Sequence, residues 1–184
     1  MKSETLDKTL ISLNESVSQS PRETRGSVNV TKCRMLKQLS SSKFPVFLIH
    51  SPSENKNYAL KVFYHERNTI VPAYLNEARF QDLAHPNIVS ILSCKDKQKT
   101  ARGCTLCFAS YILMEYAPFG DFSDLVIEGR LRGDEVLVRT FFHQLIDGLE
   151  YLHSRNISHL DIKLENLLLG EDFNLKIADF RSEE

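Results

Sequence analysis

The chain has no tryptophan, only four cysteines and only seven glycines in 184 residues. So few cysteines do not make a disulfide scaffold. Cys104-Thr105-Leu106-Cys107 is a C-x-x-C, but a structural zinc site needs four ligands and no second paired motif is present. The thiols, Cys33 and Cys94 included, read as reduced, some of them core filler. No charge of one sign dominates: 23 basic and 24 acidic residues leave a net charge of -1. That balance gives no support for nucleic acid or an anionic membrane as a partner. No apolar run approaches the length of a membrane span, and Met1 to Ser20 has no signal-like apolar core. The expectation is a soluble, intracellular, cytoplasmic protein. What is present is an apolar fraction of 42% and eleven phenylalanines, enough for a real core.

Residues 1–32 contain no aromatic residue and are rich in Ser, Thr and charge, which predicts a disordered extension. Leu6, Leu10, Leu13 and Val17 recur at helical spacing within it, as a docking helix or a transient one. Ser20-Pro21 is a candidate phosphorylation dipeptide. From Cys33 the texture changes. Met35–Leu39, Phe44–His50 and Tyr58–Tyr64 predict three strands of an antiparallel meander. Ala73–Leu83 has helical periodicity and stops before His85-Pro86. Ile88–Cys94 and Phe108–Tyr116 predict two further strands around a basic, solvated loop, Lys95–Gly103. The second half turns helical. Phe122–Ile127 is a short helix and Asp134–Ser154 a long one, with Leu137, Phe141, Leu145, Leu149 and Leu152 on one stripe. Leu167–Leu169 and Leu175–Ile177 form a final hairpin.

That hairpin is bracketed by polar residues that carry chemistry. His159-Leu160-Asp161-Ile162-Lys163-Leu164-Glu165-Asn166, with Asp179-Phe180 behind it, puts two aspartates, a lysine and an asparagine at a spacing suited to magnesium-dependent phosphoryl transfer. In the first half, Ala59 and Lys61 alternate onto one face of a strand, and Glu77 lies on the helix that follows.

From about Cys33 to Phe180 the sequence resembles the eukaryotic protein kinase domain of the serine/threonine type, through several motifs in the right order. The resemblance implies an α+β, kinase-like fold: a complete five-stranded N-lobe with one helix (33–114), a hinge (115–120), and the first, mainly helical part of a C-lobe (121–184). It implies ATP and magnesium as cofactors and protein Ser/Thr hydroxyls as substrates. Lys61, in Tyr58-Ala59-Leu60-Lys61-Val62, would hold the α- and β-phosphates, oriented by Glu77. Asp161 would accept the hydroxyl proton, and Lys163 would steady the transferring phosphoryl, as in Ser/Thr rather than Tyr kinases. Asn166 and Asp179 would hold magnesium. The adenine slot would be covered by Leu39, Val46 and Ala59 and floored by Leu168. Met114 would be its gatekeeper, the backbone of Glu115, Tyr116 and Ala117 would read its edge, and Asp121 would meet the ribose.

The sequence also departs from the family pattern. Leu39-Ser40-Ser41-Ser42-Lys43-Phe44-Pro45-Val46 stands where a glycine-rich loop covers the phosphates, and all three glycines are absent. Ser40 and Ser42 are small enough to offer hydroxyls, whereas Pro45 removes a backbone donor. The expectation is weakened nucleotide affinity. Leu160 replaces the arginine that answers an activation-loop phosphate, and Arg181 replaces the glycine after Asp-Phe. Glu77 to His85 runs one residue shorter than usual, which predicts a helix that ends early. The activation segment and the rest of the C-lobe have no counterpart in the sequence. The long helix is therefore expected to expose apolar surface for a partner chain. The alternatives to an active kinase are an inactive, pseudokinase-like nucleotide-binding or scaffold fragment, and a truncated product whose residues 181–184 are read-through.

Overall fold

A computed structural model of the chain describes residues 28–40, 42–66, 69–102 and 105–180. The residues of the N-terminal periodic segment, Ser20-Pro21, Ser41, Cys104 and Arg181 lie outside this set. Five strands form one antiparallel sheet: β1 (Arg34–Ser40), β2 (Val46–Ser51), β3 (Lys56–Tyr64), β4 (Ile91–Arg102) and β5 (Thr105–Glu115). Their spatial order is β1-β2-β3-β5-β4, so the meander is followed by a hairpin whose second strand inserts beside β3. The helix α1 (Pro72–Ala78) lies between β3 and β4. Helices α2 (Phe122–Ile127) and α3 (Glu135–Ser154) and a small hairpin, β6 (Leu167–Leu169) with β7 (Leu175–Ile177), form the second part.

Alternation of side chains across the sheet builds two cores. One face carries Ile49, Tyr58, Leu60, Val62, Ala109 and Leu113, covered by Val28, Val30 and Cys33. Val30 is 8% exposed, so the packed body begins before Cys33, a correction to the boundary at 32. The other face packs Phe63 and Ile112 against Tyr74 of α1. A third core joins Phe80, Phe122, Phe141, Leu152, Ile177 and Phe180 beneath the sheet. Gly148 lets α3 approach β7: a Cβ there would lie 2.8 Å from the Ile177 side chain and 3.1 Å from the Asn87 carbonyl.

Three element readings are corrected. Of the predicted Lys95–Gly103 loop, the residues from Lys95 to Arg102 are strand: β4 continues to Arg102 and pairs with β5 as far as Thr105. Polar composition misled there because an edge strand exposed to water needs no apolar alternation. α1 ends at Ala78 rather than Leu83, and Phe80 and Leu83 continue the chain with turn-type bonds to the Glu77 and Phe80 carbonyls. This tightening turns the Phe80 ring into the core beside Phe180, 5.2 Å between centroids. Finally, the predicted stripe of α3 is the packed one, with Phe141 and Leu152 buried and Leu137, Leu145 and Leu149 against them. Besides Val136 in its first turn, α3 exposes a neighbouring apolar stripe, Val138, Phe142 and Ile146, at 45%, 60% and 44% exposure.

Because Val138, Phe142 and Ile146 touch water, the double substitution Phe142→Lys with Ile146→Lys is expected to change unfolding free energy by less than about 0.5 kcal/mol. It should also reduce self-association and hydrophobic-dye binding. Urea unfolding and sedimentation velocity read the two effects, and a loss of several kcal/mol would show the stripe to be packed.

Candidate active site

The sheet face above the second part is set by register. Val46 pairs with Lys61 and Leu48 with Ala59 across β2–β3, while Ala59 pairs with Met114 and Lys61 with Ile112 across β3–β5. Directly opposed residues share a face, so Val46, Ala59, Lys61 and Met114 project together. Lys61 is 8% exposed and its ammonium lies 2.6 Å from a Glu77 oxygen and 2.5 Å from an Asp179 oxygen. Glu77 is itself 5% exposed. Burial by itself would lower the Lys61 pKa, but the two carboxylates outweigh it and the net direction is up. Lys61 is a permanent cation that ties β3, α1 and the segment after β7 together.

The second cluster stands on the loop before β6. Asn166 is buried and donates its side-chain NH2 to the Asp161 carbonyl, 2.8 Å, and to Asp161 Oδ2, 3.1 Å. Lys163 Nζ donates to the same Oδ2 at 3.0 Å. The Ala178 N–H donates to the Asn166 carbonyl at 2.9 Å, fixing Asp179 beside this loop. Leu160 and Asp179 both adopt positive φ, 64° and 60°. A non-glycine residue held there costs on the order of 1 kcal/mol or more, and here both strained positions adjoin the polar cluster.

His159 organises the junction. It is 3% exposed, with Nε2 2.9 Å from the Ala178 carbonyl and Nδ1 3.3 Å from the Asp161 N–H. A neutral ring with the proton on Nε2 satisfies both bonds. Burial lowers its pKa, against the raising effect of the Ala178 carbonyl, Asp179 and Asp161. Phe180 closes the other side, 5.0 Å from the imidazole.

The adenine-slot residues divide. Ala59 is buried, Val46, Met114, Ala117 and Leu168 are half-buried, and Leu39 stands at the sheet edge, 39% exposed. Asp121 bridges to Leu168, which brings the predicted ribose position to the slot floor. One Asp121 oxygen caps α2 by accepting the Asp124 N–H at 3.1 Å. Glu115 is tied to Ser90, just before β4. Its main-chain N–H already donates to the Ser90 carbonyl, 3.1 Å, and its carboxylate accepts the Ser90 N–H at 2.7 Å. In the glycine-free loop, Phe44 packs on Phe63 at 4.8 Å and the Pro45 carbonyl accepts the Val62 N–H. Beside Val46 the segment is anchored sheet.

Sequence reasoning missed Lys176. It sits between Leu175 and Ile177 on β7, is 8% exposed, and bonds the Pro86 carbonyl at 3.0 Å and the Glu115 carboxylate at 3.1 Å. It therefore clamps the hairpin to the hinge. A charged residue in a wholly buried three-residue strand was the available signal. Asn87 has a similar role, donating its side chain to the Leu175 carbonyl at 2.9 Å.

The fold and the Lys61–Glu77–Asp179 and Asp161–Lys163–Asn166 clusters define a protein kinase. Residues 41–182 match the family model described as the protein kinase domain, and the chain belongs to that family. It is similar to the serine/threonine protein kinase OSK3 of Oryza sativa subsp. indica, 48% identical over 71 residues that cover 38% of this chain and 14% of the relative. The serine/threonine protein kinase OSK4 of Oryza sativa subsp. japonica matches to the same extent. The chain thus matches a small part of the length of these curated relatives. Among the described residues no helix is long and apolar enough to cross a membrane.

Two outcomes follow. Lys176→Met leaves the partly buried Glu115 carboxylate without its cation and should cost about 1–3 kcal/mol in urea unfolding at pH 7. A further Glu115→Gln change should recover part of that loss. Because His159 is held neutral with a pKa below its usual value of about 6.5, its contribution is present above that pH and is lost as pH falls through the folded-state pKa. Wild type should therefore lose stability between pH 7.5 and 5.5 more steeply than His159→Asn, as read by parallel unfolding curves.

Proposed function

We propose that this chain binds magnesium-ATP between its two parts and transfers the γ-phosphoryl to serine or threonine hydroxyls of proteins. The observation that carries the reading is Lys61, a buried cation between Glu77 and Asp179, set beside the Asp161–Lys163–Asn166 cluster. Lys61 supplies the positive charge that α- and β-phosphate oxygens need. Ala59, Val46 and Leu168 offer apolar walls for a purine. With the Glu115 N–H committed to Ser90, Ala117 becomes the better hinge donor.

The family uses ATP and magnesium, and the donor set here suits that cation. Asn166 turns its NH2 toward Asp161, so its side-chain oxygen is the end for a hard cation, and Asp179 adds a carboxylate. Among the described residues no three His, Cys, Asp or Glu groups form a metal cage. A site of few protein ligands completed by water and phosphate oxygens is what magnesium takes. Bound there, it would neutralise phosphate charge. Asp161 orients the substrate hydroxyl and takes its proton. Lys163, on the same carboxylate, stands ready to meet the phosphoryl oxygens. Asp179 would share its carboxylate between Lys61 and the cation.

A second reading has its own observation. Phe44 packed on Phe63, and Pro45 bonded to Val62, anchor the segment that should wrap the phosphates. This favours a cleft that holds nucleotide with little or no transfer. Phosphotransfer to a mixed Ser/Thr peptide substrate with magnesium-ATP separates the two. An active kinase should lose about 10²–10⁴-fold in rate with Asp161→Asn while keeping ATP-dependent thermal stabilisation. Stabilisation without transfer in wild type supports the second reading, and neither effect sinks both.

A further inference from the structure

A cavity of about 350 Å³ opens at the hinge, away from Lys61. Its upper wall is the turn end of the β2–β3 hairpin, with His50, Lys56 and Asn57. Its lower wall is Tyr116 and Pro118 of the hinge and Glu171 of the β6–β7 turn. His50 pairs with Asn57, so they share the sheet face of Val46 and Lys61 but stand four residues further along. At about 3.3 Å per residue that is roughly 13 Å from the proposed phosphate site.

Two aromatic residues stand close in the chain to the lower-wall residues Pro118 and Glu171. Phe119 follows Pro118, and Phe173 is on the same turn as Glu171. Their rings stack at 4.3 Å with a 16° interplanar angle. Burial does not account for the pair, since Phe119 is 42% exposed and Phe173 62%. Phe173 also has φ 58°, a conformation costly for a bulky residue and natural for glycine. A strained, exposed phenylalanine stacked on a second exposed phenylalanine beside a cleft has a surface to offer.

We propose that this cleft docks an extended protein segment through an arginine side chain. A planar guanidinium is matched by an aromatic face together with a carboxylate, here the Phe119–Phe173 pair and Glu171. On the opposite wall Lys56 and Asn57 suit an acidic side chain a few residues along the same segment. The cleft is electrically two-ended, and the segment it fits is basic at one end and acidic at the other.

The test is fluorescence anisotropy on the full chain with a fluorescein-labelled, blocked Gly-Arg-Gly-Gly-Glu-Gly peptide, beside the same peptide with alanine for arginine. Wild type should bind the first at least about fivefold more tightly, the scale of one partly desolvated cation–aromatic contact. Phe173→Gly relieves the strained φ, so its melting temperature should hold or rise while peptide affinity falls to that of the alanine peptide. Glu171→Gln should weaken binding severalfold without loss of fold. The proposal is overturned if wild type shows no binding up to millimolar protein, if the alanine peptide binds equally, or if Phe173→Gly remains folded and binds unchanged.

Discussion

The buried ammonium of Lys61 is the interaction on which the rest depends. A lone cation at 8% exposure would be neutralised or expelled, and two carboxylates prevent that. Glu77 arrives on α1 and Asp179 on the segment after β7, so one charge requires three elements to be in place at once. Removing either partner leaves an imbalance that burial makes expensive. The same requirement turns the site into a reporter of the fold, since it exists only when the sheet, α1 and the β6–β7 hairpin are docked.

Docking is secured by contacts remote from the charges. Lys176 clamps β7 to the hinge through Glu115 and to the turn before β4 through the Pro86 carbonyl. Along the same line the Val89 N–H donates to the Ile177 carbonyl and the Ile177 N–H donates to the Asn87 carbonyl. Phe180 is held between Phe80 and His159, and His159 returns a bond to the carbonyl just before Asp179. The acidic residue at 179 is therefore positioned from both sides, by a ring stack after it and a hydrogen bond before it.

Much of this was legible in the sequence, for identifiable reasons. Lys61, Glu77, Asp161, Lys163, Asn166 and Asp179 were read together because their roles demand fixed residue types in a fixed order. The structure brings Lys61, Glu77 and Asp179 into one cluster and Asp161, Lys163 and Asn166 into another. The α2 range and the β6–β7 hairpin were read residue for residue, since Asp121 caps one and turn residues separate the strands of the other. The failures have physical causes. The hairpin arm of Lys95–Arg102 is held by main-chain bonds, which leave no trace in polarity. The end of α1 depends on where Phe80 finds a partner, and that partner is a hundred residues away at Phe180. Lys176 is missed because its apolar neighbours Leu175 and Ile177 hint at burial without indicating the distant Glu115 and Pro86 groups that satisfy its charge.

The Lys61 cluster is proposed as a site for phosphate and metal rather than a structural ion-pair knot. Calorimetric titration of ATP into the chain, with and without magnesium, tests it most directly. Binding should be saturable, need magnesium and disappear when Lys61 is changed to methionine. Absence of ATP binding to folded wild-type chain, or binding that neither magnesium nor Lys61 affects, would contradict it.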